Sequence, residues 1–420
     1  MKIFKFGGAS INSIDRFKNT GKIIKSFKGE KILIVVSAMG KTTNALESIV
    51  SAFFEGNKEE ALLLFQQLKN NHLEYLKYLT VTNWKNAENE LNNFFTEMEW
   101  LLHDKPVRSY DYYYDQIVSC GELLSSSILA SHLMDEKQNP IWVDVRDIVR
   151  TDNNYRSANI DWEFTQKRIM ESVMPLFDNH NIIITQGFIG CTDENENTTL
   201  GREGSDYSAA VFANILNADS VTIWKDVDAV MSADPKKFPN ATVIHNLSYN
   251  EVIEMAYYGA QVIHPKTIKP LQNKKIPLLV KSFLNPDAVG TIINHELCKN
   301  LPPIIVQKEN QVLLQFKTLD FSFIEEKTIE KLYELFDGLK LNPVLTQKTA
   351  ISLWAVFDDV AEKIDELASN ASAYFDVELE RNLTLITIRH YLKETVDELA
   401  KDKVILLEQK TISTIQMLMR

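Results

Sequence analysis

Short apolar runs that read as strands alternate with helical stretches through about the first 295 residues: Lys2 to Phe6, Lys31 to Ser37, Ile141 to Asp144, Asn181 to Phe188, Val221 to Trp224 and Ile276 to Ser282. This alternation constrains the chain strongly. Parallel strands cannot be joined by a tight turn and need a crossover, usually a helix, which then covers a face of the sheet. The predicted fold of this part is α/β, a mainly parallel sheet with helices on both faces. One stretch breaks the pattern: from about residue 44 to 133, spacings such as Leu62, Phe65, Leu68 and Leu73, Leu76, Leu79 follow a helical face, so a helical insertion is expected there. At 420 residues the chain is too long for one typical core, and two or three domains are expected.

The character changes after Gly290-Thr291-Ile292, and Pro302-Pro303 punctuates the chain. Strands are predicted at Val312 to Phe316, Asn342 to Thr346, Ile351 to Val356, Ala373 to Val377, Leu383 to Ile388, Val404 to Leu407 and Thr414 to Leu418. Helices are predicted near Glu325 to Phe336, Val360 to Ser369 and Leu392 to Lys401. The order is similar to tandem βαββαβ ferredoxin-like units. Two full units hold twelve elements against the ten read here, so one unit is trimmed, interleaved with the other, or misread. The expected domains are 1–298 and 303–420.

A net charge of −12 argues against a nucleic-acid partner, because no basic stripe offsets the acidic surface; small anions remain compatible where cations gather locally. Three cysteines, Cys120, Cys191 and Cys298, give neither a disulfide framework nor zinc-ligand spacing, so a reducing compartment and no metal site built by the protein are expected. No leader or membrane-spanning run is read, and a cytoplasmic protein is expected.

Several segments carry candidate chemistry. Lys5-Phe6-Gly7-Gly8 ends the first strand before a helix: its glycines can turn backbone N–H groups to a phosphate while Lys5 adds a positive charge, although a glycine pair also suits a tight turn. Ser37 to Asn44 closes the second strand with small and hydroxyl residues, where ligands of open α/β sheets sit; Thr42, Thr43 or Asn44 would equally cap a helix. Glu122, in Ser119-Cys120-Gly121-Glu122, falls in a first helical turn, which favours a carboxylate with or without a function. In Thr199 to Tyr207, TLGREGSDY, Arg202 can grip a carboxylate or phosphate through two N–H groups, and Ser205 and Asp206 begin a helix that Asp206 could also merely cap. Trp224-Lys225-Asp226 ends another strand, and the loop to Lys236 reads as a nucleotide site or as a solvated turn. His264 precedes a proline, which biases it to extended backbone, and is read as structural rather than as a base.

In this order and spacing, KFGGAS, VVSAMGKTTN, SCGE, TQGFIG, TTLGREGSDYSAA, WKDV, ADP and GAQVIHPKT resemble the aspartate kinases over about residues 1 to 295. The resemblance implies an amino-acid-kinase-like three-layer αβα sandwich, followed by a ferredoxin-like α+β region of paired ACT-like regulatory domains. It implies transfer of the γ-phosphoryl group of ATP, with Mg²⁺, to the β-carboxylate of L-aspartate, opening the route to lysine, threonine and methionine. Lys5, Asp206 and Lys225 would be catalytic, with Asp206 orienting the lysines. Ser37, Thr43, Glu122, Phe188, Arg202 and Ser205 would hold aspartate, Arg202 reading its α-carboxylate and Glu122 its ammonium group. Lys5, Gly7, Gly8, Lys225, Asp226, Met231 and Lys236 would meet the nucleotide.

Some positions depart from the family's pattern. Ala9 replaces a hydroxyl residue, Met231 a nucleotide-contacting Tyr, and Gln261 a Lys whose charge Lys225 is expected to supply. Glu203 stands where glycine is frequent and puts a negative charge beside an anionic substrate, so it is expected to point away or pair with a cation. A homodimer or dimer of dimers with a lysine or threonine effector is expected, without a fused homoserine dehydrogenase. Other readings are a related carboxylate kinase and a non-catalytic amino-acid sensor.

Overall fold

The computed structural model describes every residue except 299 and 321. By compactness the chain divides into two units: Met1–Val230 with Ile244–Ile253 and Val262–Cys298, and Met231–Val243 with Glu254–Gln261 and Lys299–Arg420.

The first unit is built on an eight-stranded sheet of β1 (Lys2–Phe6), β2 (Ile32–Val36), β3 (Ile141–Trp142), β4 (Ile182–Gln186), β7 (Ser220–Lys225), β10 (Asn246–Ser248), β11 (Leu278–Ser282) and β12 (Thr291–Asn294). Their spatial order is β10-β12-β11-β7-β1-β2-β4-β3. All neighbours run parallel except β11 and β12. All six predicted strands lie in this sheet. Every residue of β2 and of β4 is buried, as expected where helices cover both faces. A short hairpin of β5 (Ile189–Cys191) and β6 (Asn197–Thr199) stands apart, and two two-residue strands, β8 (Val230–Met231) and β9 (Val243–Ile244), precede β10.

Residues 42–135 form α2 (Thr42–Phe54), α3 (Lys58–Leu79), α4 (Trp84–His103), α5 (Tyr110–Val118) and α6 (Cys120–Asp135), matching the expected helical insertion. Phe65, Leu68, Leu76 and Leu79 of the predicted faces are buried, as are Leu91, Phe95, Met98 and Leu102 of α4. Among the described residues one helical stretch, Tyr110–Asp135, is long and apolar enough to cross a bilayer; its apolar 18-residue part is 94% buried, so it is a core element. The remaining helices of this part are α1 (Ile14–Ser26), α7 (Trp162–Arg168), α8 (Gly204–Leu216), α9 (Tyr249–Tyr257) and α10 (Pro265–Lys274).

The second unit corrects the predicted element count. Its six-stranded sheet contains β13 (Ile304–Thr318), β14 (Leu345–Lys348), β15 (Ser352–Asp358), β16 (Phe375–Arg389), β17 (Ile405–Lys410) and β18 (Thr414–Met419) in the order β14-β15-β13-β16-β18-β17. Ala373 to Val377 and Leu383 to Ile388, read as two strands, are the ends of the single strand β16. Its polar middle, Asp376 to Asn382, breaks the apolar pattern, while pairing with β13 runs through Glu380 and resumes at Leu383. β13 likewise extends well beyond Val312 to Phe316.

The two long strands pair with each other, and their register slips between Lys308 and Leu313. Asn310 and Asn382 sit there at φ 54° and 61°, in the left-handed region that asparagine tolerates. Divided at this irregularity, the unit resolves into two nested ferredoxin-like halves. The inner half, with helices α11 (Glu326–Gly338) and α12 (Ala361–Ala371), has the complete βαββαβ order. The outer half takes the N-terminal part of β13 beside the C-terminal part of β16, with α13 (Lys393–Ala400), β17 and β18, and it lacks one helix. Helices α11 and α12 pack on Val312, Leu314, Phe316, Ala355 and Phe357. A second buried cluster joins Leu313 and Val356 of the inner half with Leu385, Leu407 and Leu418 of the outer half.

Candidate active site

The central parallel strands deliver their carboxyl ends to one place. β1 and β2 are in register with Lys5 beside Val35, β1 and β7 with Phe6 beside Trp224, and β2 and β4 with Val36 beside Gln186. The loops that follow therefore line a single cavity of about 550 Å³, at the edge where open α/β sheets bind ligands. Of the predicted residues, Lys5, Gly8, Ser37, Thr43, Glu122, Phe188, Arg202, Ser205, Asp206 and Lys225 all line it. Gly7 and Asp226 do not, and Met231 and Lys236 belong to the second unit.

The glycine loop is shaped by close backbone approach. A Cβ on Gly8 would stand 2.7 Å from the Ala38 carbonyl oxygen and 3.0 Å from that of Gly40, so only glycine lets the loops after β1 and β2 touch. The Gly40 N–H donates to the Gly8 carbonyl across this contact. A Cβ on Gly7 would lie 3.2 Å from Lys5 Nζ, so the ammonium group lies close against the loop.

Lys5 Nζ lies 2.6 Å from Asp206 Oδ1, and both side chains are largely buried. Asp206 stands in the first turn of α8, whose N-terminal end also presents Ser205 to the cavity. A Cβ on Gly187 would come within 2.6 Å of Ser205 Cβ, so the turn after β4 sits directly on this helix start. Phe188, in that turn, adopts φ 68°. Arg156 at 65° and Glu203 at 53° are likewise left-handed, so three non-glycine residues lining one cavity carry backbone strain. Strain of this kind, on the order of 1–3 kcal/mol per residue, persists where the surroundings dictate the conformation.

Glu122 is in the first turn of α6 and is 3% exposed. Its Oε1 accepts the Ala38 N–H at 3.1 Å, while Oε2 has no partner among the described residues. Burial pushes its carboxyl up to about 8, against the partial opposition of the Ala38 N–H and of Lys5. At neutral pH the cavity thus sets Lys5, Arg156, Arg202 and Lys225 against Asp206 and Glu203, with Glu122 mostly protonated. A cationic excess of this kind in an otherwise acidic chain attracts anions.

Sequence reasoning missed several residues of the wall. Tyr114 and Arg156 both line the cavity, the guanidinium standing 4.3 Å from the ring centroid. Tyr114 lies two helical turns before Glu122, but in a stretch read only as an insertion. Arg156 comes from an irregular segment with no periodicity to mark it. Buried Asp115 anchors this wall: Oδ2 accepts the Arg156 N–H at 3.0 Å and the Thr199 N–H at 2.8 Å, and Oδ1 accepts the Thr199 hydroxyl at 2.7 Å. Burial raises its carboxyl to about 6 in spite of those donors. His264 is structural, as read: its Nδ1 accepts the Lys266 N–H at 3.2 Å and caps α10. Glu203 lines the cavity, and its Oε2 pairs not with a cation but with the His264 backbone N–H at 2.8 Å. Lys225 Nζ donates to the Val262 carbonyl at 2.5 Å.

A glycine-lined, cation-rich cavity at the carboxyl ends of a doubly covered parallel sheet is the arrangement of a small-molecule kinase. The chain belongs to the amino acid kinase family, whose sequence profile matches residues 1–282, and within it to the aspartokinases. It is 31% identical over 321 residues to lysine-sensitive aspartokinase 3 of Escherichia coli (strain K12), covering 76% of this chain and 70% of that one. Over 404 residues it is 31% identical to the chloroplastic aspartokinase 1 of Arabidopsis thaliana, covering 87% of this chain and 67% of the relative. The bifunctional aspartokinase/homoserine dehydrogenase of Buchnera aphidicola is 35% identical over 316 residues, and there the match spans only 37% of the relative. Among solved structures, E. coli aspartokinase III in complex with aspartate and ADP aligns over 100% of this chain and 96% of its own, with a TM-score of 0.81 and 25% identity.

Proposed function

We propose that this chain is an ATP-dependent aspartate kinase that forms 4-phospho-L-aspartate. The observation that carries the reading is the charge layout of the cavity: an ion-paired Lys5 beside the glycine loop, an exposed Arg202 in its lining, and a buried Glu122 with one unpartnered oxygen. Arg202 suits the α-carboxylate of an amino acid and Glu122 its ammonium group, which leaves the side-chain carboxylate to face the nucleotide. That carboxylate, with an ordinary pKa of about 3.9, is already ionised at neutral pH, so its attack on phosphorus needs no general base. The chain's task is then alignment and charge neutralisation. Backbone N–H groups of the Gly7-Gly8 loop and the Lys5 and Lys225 ammonium groups would receive the phosphoryl oxygens, with Asp206 holding Lys5 in place and Ser37, Thr43, Phe188 and Ser205 fixing aspartate. Asp226 is proposed to meet the nucleotide.

Mg²⁺ fits this donor set. No group of three or more His, Cys, Asp or Glu that could hold a metal stands among the described residues, and Mg²⁺ characteristically rides on nucleotide phosphates and water rather than in a cage built by the protein. Asp206, which lines the cavity beside Lys5, would orient that water shell, and the ion would supply neutralisation of phosphate charge. The unpaired thiols suit a cytoplasmic enzyme, the nested ferredoxin-like unit suits an amino-acid effector, lysine or threonine, and a homodimer or dimer of dimers is proposed.

Purified protein with ATP and hydroxylamine should yield hydroxamate from L-aspartate and much less from L-glutamate or N-acetylglutamate. Turnover of glutamate without aspartate would refute the substrate assignment. Adding lysine, threonine and methionine in turn tests for the effector, and no response to any of them would remove it.

A further inference from the structure

Glu203 is costly where it stands. It holds φ 53° without being glycine, and it adds a carboxylate to a cavity suited to anions. Its side chain does not cap α8, yet its backbone carbonyl accepts the Asp206 and Tyr207 N–H groups at 3.0 and 3.1 Å, so the residue is locked into the helix start. From that fixed base Oε2 reaches the His264 N–H. His264 is held from the other side as the cap of α10, which Pro265 opens. Two residues earlier, the Val262 carbonyl holds the Lys225 ammonium group. The contacts run Glu203, His264, Val262, Lys225.

We propose that Glu203 is a positioning residue that sets the Lys225 ammonium group by clamping residues 262–264 to the start of α8. Both lysines of the cavity are then referred to the same helix end, Lys5 directly through Asp206 and Lys225 through Glu203 and the intervening backbone. A lysine held by a single carbonyl on an unclamped segment would wander, and misplacement by about 1 Å can cost two orders of magnitude in rate. The inference rests on the phosphoryl-transfer reading of the site.

The test is a double-mutant cycle on the hydroxamate reaction, with kcat and KM for aspartate measured separately. Glycine suits φ 53°, so Glu203→Gly removes the clamp without strain, and a thermal melt checks that it folds. It should lower kcat about tenfold or more while moving KM less than about threefold. Glu203→Gln, whose amide oxygen still accepts the His264 N–H, should restore most of that loss. In a Lys225→Met background, Glu203→Gly should cost nothing further. An equal loss in both backgrounds, or no loss in the unsubstituted background, would overturn the proposal. If the unsubstituted protein forms no hydroxamate from any of the three acids, the phosphoryl-transfer reading itself fails and this inference falls with it.

Discussion

If Glu122 receives the ammonium group as proposed, amino-acid binding is a proton-release reaction. Burial holds its carboxyl at about 8, so the empty site at pH 7 carries the carboxylate in only about a tenth of molecules. An ammonium group meeting the unpartnered Oε2 stabilises the ionised form, so binding should expel close to one proton per aspartate at that pH. The apparent affinity is reduced by the fraction of competent sites, about tenfold at pH 7 or roughly 1.4 kcal/mol. KM for aspartate should therefore fall by up to about tenfold per pH unit between pH 6 and 7.5 and level off above pH 8. Calorimetric titration in buffers of different ionisation enthalpy counts the proton directly. Glu122→Gln should bind more weakly than the unsubstituted protein at pH 8.5 and lose the pH dependence. A flat KM from pH 6 to 8, with no buffer dependence of the binding heat, would refute the reasoning. Stability gives an independent check. A carboxyl raised from 4.5 to about 8 binds more protons in the native than in the unfolded chain across that window, so the empty protein loses stability as pH rises through it. The Tm advantage of Glu122→Gln should grow between pH 5 and 8.

Asp115→Ala strands the N–H groups of Arg156 and Thr199, and should cost about 2–4 kcal/mol in denaturant unfolding while raising KM for aspartate. Gly187→Ala pushes its Cβ against Ser205 and should lower kcat/KM by about tenfold or more in the hydroxamate assay with a smaller change in Tm, because the obstructed atoms belong to the site. Phe336→Ala empties a fully buried position in contact with Phe316 and Phe357, and should destabilise the second unit by about 3–5 kcal/mol, read as an early step in thermal unfolding.

The parallel sheet was legible in the sequence because buried strands announce themselves as short apolar runs. The segments lining the cavity were legible through their combined order and spacing, since each alone also suits a turn or a helix cap. Arg156 and Tyr114 were not legible: one lies in an irregular stretch and the other in a helix, and neither pattern says which side chain reaches a cavity. β16 was read as two strands since the pairing of Asp376 to Glu380 with β13 leaves no mark in hydropathy.

What the sequence alone determined is local: the order of strands and helices, the glycine loop after β1, and the residue types gathered at the strand ends. These follow from periodicity and backbone sterics, which act over a few residues. Only the tertiary structure decided the rest. It buried Glu122 and so raised its carboxyl, put Lys5 against Asp206 across some 200 residues of chain, and gave the Glu203 carboxylate the His264 N–H as its partner. Desolvation and hydrogen bonding depend on which distant segments exclude water from a given atom, and that is fixed only when the chain closes on itself.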